Sequence, residues 1–252
     1  MGEFDGRAAV VTGGAKGIGR ACALALAADG ARVLIVDRDK NGARDLAPNV
    51  TFFEGDVSRA ADATAAIEDA VRAFGRLDML INSAGIQRYG SVTDTPEEVW
   101  DEVLSVNLKA MYLTARAAVP HLSDGDGGAI VNVASVQAFA AQRGVAAYSA
   151  SKGGVVALTR ALAIDHAPSV RANCVCPGSV DTPMLRWAAE KFGDSNPQAA
   201  LDEWGAMHPL GRVAQAEEVA NAVLFLASPR ASFITGAALL VDGGLLSVIS
   251  GT

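Results

Sequence analysis

The stretch Ala8-Ala9-Val10-Val11-Thr12-Gly13-Gly14-Ala15-Lys16-Gly17-Ile18-Gly19 decides how the rest of the chain is read. Residues 8–11 are small or β-branched and apolar, which predicts a buried strand, and the alanine-rich pattern over 17–29 predicts a helix. Between them the glycines allow a sharp turn and a close backbone approach to a phosphate, whose charge the N–H groups and dipole of the new helix would meet. The spacing is Gly-x-x-x-Gly-x-Gly, not the Gly-x-Gly-x-x-Gly of the common dinucleotide fingerprint, and no Lys-Ser/Thr pair ends it as in a P-loop. Such a turn can be no more than a tight turn. Its place directly after the first strand makes Gly13, Lys16, Gly17, Ile18 and Gly19 candidate contacts to a dinucleotide.

Outward from this unit the same rhythm repeats. Short apolar runs at 8–11, 32–37, 50–54, 79–82, 129–134, 170–176 and 238–241 read as strands, and longer stretches at 17–29, 60–74, 96–120, 148–165 and 216–226 read as helices. Near-continuous apolar strands alternating with helices imply a parallel sheet covered on both faces. The expectation is α/β: a single doubly wound, Rossmann-type domain over 1–252, with a seven-stranded, mostly parallel sheet and helices on both faces. One segment, about 181–207, breaks the rhythm with Pro183, Pro197, two tryptophans and mixed charge, and shows no strand pattern. An insertion of this length is usually functional, and it is read as a substrate lid.

The composition sets bounds. Half of the 252 residues are hydrophobic (50%), 19% are charged and 26 are glycine, enough for a large core around tight turns and against disorder. The net charge of -7, with no run of Lys or Arg, leaves no basic stripe for nucleic acid. No apolar stretch is long enough to span a bilayer. Three cysteines, Cys22, Cys174 and Cys176, read as buried small apolar residues, the last two on one face of a strand. With no basic-then-apolar segment at the start, a reducing, cytoplasmic location is expected.

Candidate site residues gather at the carboxyl ends of the strands, where open α/β sheets bind ligands. Asp37 ends the second strand, 20 residues beyond Gly17, where an acid can accept hydrogen bonds from ribose hydroxyls. Asp56 and Val57 follow the third strand and Asn82 ends the fourth; each alone could be a turn former. Ser135 ends the fifth strand, and Tyr148 with Lys152 four residues later share one helix face. An isolated Tyr-x-x-x-Lys pair is commonly just a solvated pair, but a strand-terminal serine within a nucleotide-binding pattern is an arrangement for proton transfer.

With these residues in view, the sequence resembles the short-chain dehydrogenase/reductase family over essentially its whole length. The matching residues are Thr12-Gly13-x-x-x-Gly17-Ile18-Gly19, Asp56, Asn82-x-Ala84-Gly85, Asn107, Ser135, Tyr148-x-x-x-Lys152, Pro177-Gly178 and Asp242-Gly243-Gly244. The resemblance implies a catalytic tetrad of Asn107, Ser135, Tyr148 and Lys152, with Asn107 anchoring a water that links Lys152 to solvent. It also implies that Asn82 and Asp56 line the cofactor site, with Ala84, Gly85, Pro177 and Gly178, and that Val180 and Thr182 contact the nicotinamide amide. Ser83 stands where the family usually has a second Asn.

The expected function is NAD(P)-dependent interconversion of a secondary alcohol and its carbonyl by hydride transfer, with Tyr148 as acid/base. A phenol with a pKa of about 10 is a poor base at neutral pH, so Lys152 and an oxidised nicotinamide are expected to lower it. Ser135 would hold the substrate oxygen. Asp37 favours NAD by repelling the extra phosphate of NADP, whereas Lys16 and Arg38 pull the other way. The substrate pocket is expected to draw on Gln87-Arg88-Tyr89, the loop from Gln137 through Gln142 to Gly144, and Met184, Arg186, Trp187 and His208. That mixture suits a sugar or polyol, with Ser135, Gln142, Tyr148 and Arg186 as contacts. His121, His166 and His208 show no ligand spacing, and no metal is expected. Two alternatives stay open: an NADPH-dependent ketone or 3-oxoacyl reductase, and a redox sensor that holds NAD(H) without turnover. Small-apolar helix faces at 96–120 and 148–165, with the apolar run from Leu245 to Ile249, predict a homotetramer or homodimer.

Overall fold

Along β1 (Ala8–Thr12) every residue is buried, Ala9 and Val11 on one side of the sheet and Val10 on the other. Side chains alternate between the faces of a strand, so a strand apolar at every position must be covered twice. In β2 (Arg32–Asp37) Val33 and Ile35 join the first layer and Leu34 and Val36 the second; in β4 (Met79–Asn82) Met79 and Ile81 oppose Leu80 in the same way. The computed structural model describes residues 2–44, 46–124, 127–193 and 196–248. Among these, the strands named join β3 (Val50–Glu54), β5 (Gly128–Val133), β6 (Val170–Pro177) and β9 (Ala238–Val241) in one sheet of order β3-β2-β1-β4-β5-β6-β9. Each expected strand is present with its ends within one residue of the sequence reading, and each neighbouring pair is parallel.

One layer consists of α1 (Gly17–Ala28) against α8 (Ala216–Ala227), and the other of α2 (Ala60–Phe74), α4 (Ala110–Ser123) and α5 (Ala146–His166). The segment read as one helix over 96–120 is α3 (Glu97–Leu104), a π-helical turn Ser105–Lys109, and α4, with Pro96 capping the first. Cys174 and Cys176 are buried together behind β6, and Cys22 is buried in α1, where burial pushes its thiol up to about 12. No helix among the described residues is long and apolar enough to cross a membrane.

The chain passes from β1 to β2 and β3 on one side, then returns to place β4 on the other. The connections therefore diverge between β1 and β4 and open a crevice at the carboxyl ends of the strands. Over this crevice lies the segment 181–207, and the sequence reading needs correction there. It contains α6 (Pro183–Phe192) and α7 (Pro197–Ala206), and it begins within a strand, β7 (Val180–Asp181), which pairs with β8 (Ala214–Gln215). Thr182 Oγ1 accepts from the Leu185 N–H at 3.4 Å and Asn196 Oδ1 from that of Ala199 at 3.1 Å. With proline at the first helical position of each, these are ordinary helix starts. Residues 194 and 195 of the lid, and Ile249 of the terminal apolar run, lie outside the described residues.

Candidate active site

The crevice is a cleft of about 1250 Å³ running from the glycine turn to α6 and α7. At its phosphate end Gly17 has φ +57°, and a Cβ at Gly19 would stand 2.3 Å from the Gly13 carbonyl oxygen. Only glycine permits this closure. α1 starts without a side-chain cap, leaving its first N–H groups for an anion. Gly13, Lys16, Gly17 and Ile18 line the cleft. Gly19 does not; it is buried beneath Gly13, so its part is to let the turn close.

At the adenosine end, Asp37 Oδ2 accepts from the Ala15 N–H and Oδ1 from the Asp39 N–H, both at 3.0 Å. One carboxylate thus ties the phosphate turn to the loop after β2. Lys16 lies 3.8 Å from Asp39, and Arg38 lies 3.6 Å from Asp56. Partial burial opposes the charge of Asp56, but the Ser58 hydroxyl at 2.7 Å and N–H at 3.0 Å, with Arg38, hold its carboxyl below the usual range. Val57, Ala84, Gly85, Pro177, Gly178, Val180 and Thr182 also face this cavity. Asn82 does not line it. Its side chain lies under the floor, donating to Asn132 Oδ1 at 2.9 Å and accepting from Thr114 Oγ1 at 2.8 Å.

Ser135, Tyr148 and Lys152 meet in the middle of the cleft. β5 delivers Ser135, whose Oγ accepts from the Gln137 N–H at 3.1 Å, and the first turns of α5 deliver the other two. The Lys152 amine is buried, donates to the Val133 carbonyl at 2.8 Å and stands 5.5 Å from the centre of the Tyr148 ring. Burial lowers Lys152 to about 8, with the thiols of Cys176 and Cys174 opposing. Burial likewise raises the Tyr148 phenol to about 12, with the Ser135 hydroxyl opposing. In the protein without a dinucleotide, burial therefore decides the direction for both groups, raising the Tyr148 phenol and lowering the Lys152 amine. Asn107 is fully buried at the π-turn. Its Oδ1 accepts from the Ile86 N–H at 2.8 Å, and its Nδ2 donates to the Ile86 carbonyl at 2.9 Å and Ser151 Oγ at 3.0 Å. It fixes the turn after Gly85, where a Cβ would stand 3.5 Å from Asn107 Oδ1 and 3.6 Å from Lys152 Nζ.

A family model described as enoyl-(acyl carrier protein) reductase matches residues 13–246. The chain belongs to the short-chain dehydrogenase/reductase family. Over 250 residues it is 38% identical to dehydrogenase/reductase SDR family member 6 of Aquarana catesbeiana, covering 97% of this chain and 99% of that protein. It is 39% identical over 247 residues to the L-fucose dehydrogenase of Oryctolagus cuniculus, covering 96% of this chain and 86% of that one. The ligand-free aldohexose dehydrogenase of Thermoplasma acidophilum matches with a TM-score of 0.96 at 35% identity, covering 100% of this chain and 98% of that one. As a member of this family the chain is an oxidoreductase that uses a nicotinamide cofactor and acts on alcohol or carbonyl groups.

At the substrate end of this short-chain dehydrogenase/reductase, Gln87, Tyr89, Gln137, Gln142 and Met184 line the cleft as expected. Arg186 does not. Its guanidinium forms a two-point ion pair with Asp181 at 2.6 and 2.8 Å, outside the cavity, and is 65% exposed. Arg88 is turned away in the same manner by Glu102, at 2.9 and 3.0 Å. His208 is buried below the floor: one ring nitrogen accepts from the Ser179 N–H at 3.1 Å and the other bonds the Trp204 carbonyl at 2.9 Å. Trp187 stacks outside the cavity against Tyr89, centroids 6.0 Å apart. The sequence reading missed Phe192 of α6, Glu203 and Trp204 of α7, Met207 just after it, and Leu246. The Asn196-Pro197 start of α7 was the available signal for two of them.

Proposed function

We propose that the chain is an NAD-dependent dehydrogenase of a sugar or polyol, interconverting one secondary hydroxyl and its carbonyl. Asp37 carries the cofactor assignment. Its carboxylate ends β2 beside the phosphate turn, and the two nearby cations that would receive an extra phosphate, Lys16 and Arg38, already face Asp39 and Asp56. The names of two relatives, an L-fucose and an aldohexose dehydrogenase, support the substrate class.

The residues present fit a dinucleotide: the glycine turn and uncapped α1 for the pyrophosphate, Asp37 and Asp56 for the adenosine half, Lys152, Val180 and Thr182 for the nicotinamide half. A bound nicotinamide takes or gives the hydride and, when oxidised, adds positive charge near Tyr148. In oxidation Tyr148 Oη takes the proton from the substrate hydroxyl while Ser135 Oγ holds the same oxygen; in reduction it returns that proton. Lys152 contributes its ammonium from below and, with burial raising the phenol, keeps part of the opposing charge in place. Asn107 holds the turn that carries Gly85.

The description of the matched family favours a second reading, reduction of an acyl-carrier-bound substrate with NADPH. It needs a basic patch for an acidic carrier, yet Arg88 and Arg186 near the cleft are each paired with a carboxylate. Leu239 and Leu240 on edge strand β9 and the fully exposed Phe233 support assembly into a homodimer or homotetramer, and a cytoplasmic location fits the three free thiols. The test is a spectrophotometric screen of NAD and NADP against sugars, polyols, hydroxy acids and simple secondary alcohols. No turnover in that screen, with NADPH oxidation by 3-oxoacyl or enoyl thioesters in a parallel assay, overturns the proposal.

A further inference from the structure

We infer that the cleft selects an uncharged vicinal diol, and that the side-chain amides of Gln137 and Gln142 read the hydroxyl next to the reacting carbon. The inference rests on the dehydrogenase reading above. Gln137 lies two residues beyond Ser135, and its backbone N–H holds Ser135 Oγ. Its side-chain carbonyl accepts from Ser149 Oγ at 3.2 Å, and its Nε2 donates to Gln142 Oε1 at 3.2 Å. A primary amide has two N–H donors. This chain uses one proton of Gln137 and the carbonyl of Gln142, which leaves the Gln142 amino group and the second Gln137 proton without a protein acceptor among the described residues, on two side chains that line the cleft. Ser135 and Tyr148 line the same cleft, so a hydroxyl on the carbon next to the reacting one is the group these donors would meet.

Charge and shape narrow the class further. Of the residues lining the substrate half, only Lys152 and Glu203 carry charge, and the Lys152 amine is buried against Val133. A carboxylate or phosphate entering there would meet Glu203, while Arg88 and Arg186 are each paired with a carboxylate outside the cavity. The opposite wall is apolar: Tyr89 meets Phe192 edge-on at 4.5 Å, with Met184 and Trp204 beside it. Amides on one wall and aromatic rings on the other fit a polyhydroxylated ring that has a C–H face.

The experiment compares kcat/KM for 1,2-cyclohexanediol and cyclohexanol with NAD in the wild type, Gln137→Leu and Gln142→Leu. Gln142 is exposed on a loop and the Gln137 backbone N–H is retained in its variant, so both proteins should melt like the wild type. The wild type should prefer the diol, and each variant should lower the diol-to-monool ratio about three- to tenfold, the effect of one neutral hydrogen bond, mainly through KM. Glu203→Gln should raise kcat/KM for 2-hydroxycyclohexanecarboxylate about two- to fivefold. A wild type indifferent to the second hydroxyl, or a ratio unmoved in both glutamine variants, overturns the inference and leaves the dehydrogenase reading standing. Absence of turnover with every alcohol and either cofactor overturns both.

Discussion

Replacing Asp37 by Asn removes one charge from the end of β2 but keeps an oxygen that can still accept from Ala15 or Asp39, whose N–H groups lie 3.0 Å from the carboxylate. Two unit charges 4 Å apart interact by ~4 kcal/mol at an effective dielectric of about 20, and by ~1 kcal/mol in water. Asp37 lies partly exposed on the cleft wall, so its repulsion of a phosphate on the ribose falls at ~1–3 kcal/mol. On the NAD side, a hydroxyl donating to a carboxylate contributes ~1.5–3 kcal/mol and to a neutral group ~0.5–1.5, a loss of ~1 kcal/mol. Together these move the NAD-to-NADP ratio of kcat/KM by ~2–4 kcal/mol, about 30- to 1000-fold. The gain with NADP is relief of repulsion only, since Lys16 still faces Asp39 and Arg38 still faces Asp56. Adding Asp39→Asn should free Lys16 and raise NADP efficiency further. Initial rates of NADH and NADPH formation, with melting curves to verify the fold, measure the ratio. A wild type that already prefers NADP, or a ratio that shifts less than about threefold, refutes the assignment.

Tyr148→Phe keeps the ring and its packing but deletes the ionisable oxygen; turnover should fall ~10²–10⁴-fold while NAD affinity by fluorescence titration holds, and near-normal turnover would refute Tyr148 as the acid/base. Burial lowers Lys152 to about 8, so its ammonium is lost as pH rises through that value; NAD binding should weaken above about 8, and Lys152→Met should flatten the profile. For stability the sign is opposite: the unfolded lysine keeps its proton to higher pH, so the cost of burying this charge is greatest below about 8 and fades towards the ordinary lysine value, opposing alkaline unfolding. Asn132→Ala strips Asn82 Nδ2 of its acceptor and Thr159 Oγ1 of its donor, costing ~2–4 kcal/mol, which calorimetry should read as a fall in Tm of about 4–15 °C.

The central strands were legible because they are buried on both faces, as in the run Val33-Leu34-Ile35-Val36, and the edge strands β3 and β9 because they keep the same short apolar pattern. The lid was legible as an insertion but not as helices, since Thr182-Pro183 and Asn196-Pro197 write a loop and a helix start with the same letters. Spacing placed Tyr148 and Lys152 on one face; it carries nothing about how deeply that face is buried, which decides that Tyr148 rises and Lys152 falls. Arg186 illustrates the other limit. A cation on a lid suggests a ligand contact until the fold turns it to Asp181, five residues back. Asn82 sits at the strand end the sequence named, yet strand alternation sends its side chain beneath the cleft.

That buried position explains how chemistry and selectivity can be kept apart in one cavity. From Thr114 in α4 the hydrogen bonds run to Asn82 in β4, Asn132 in β5, Thr159 in α5 and the Val155 carbonyl, at 2.8, 2.9, 2.9 and 2.8 Å. A fully satisfied buried row is directional, so it fixes the rotation and height of α5 against the sheet more tightly than apolar packing alone. Tyr148 and Lys152 lie on that helix, and their reach to Ser135 follows from its register. Among the described residues the segment 181–207 makes no hydrogen bond to this row; its far end hangs on His208, which links the Trp204 carbonyl to the Ser179 N–H. A change at Phe192, Glu203 or Trp204 therefore reshapes the substrate wall without entering the row that sets proton transfer. The amides of Gln137 and Gln142 belong to neither part. Gln137 is tied to Ser135 through its backbone N–H and to Gln142 and Ser149 through its side chain, so on the inference above a hydroxyl beside the reacting carbon is read by groups linked to the fixed part through Ser135 and Ser149.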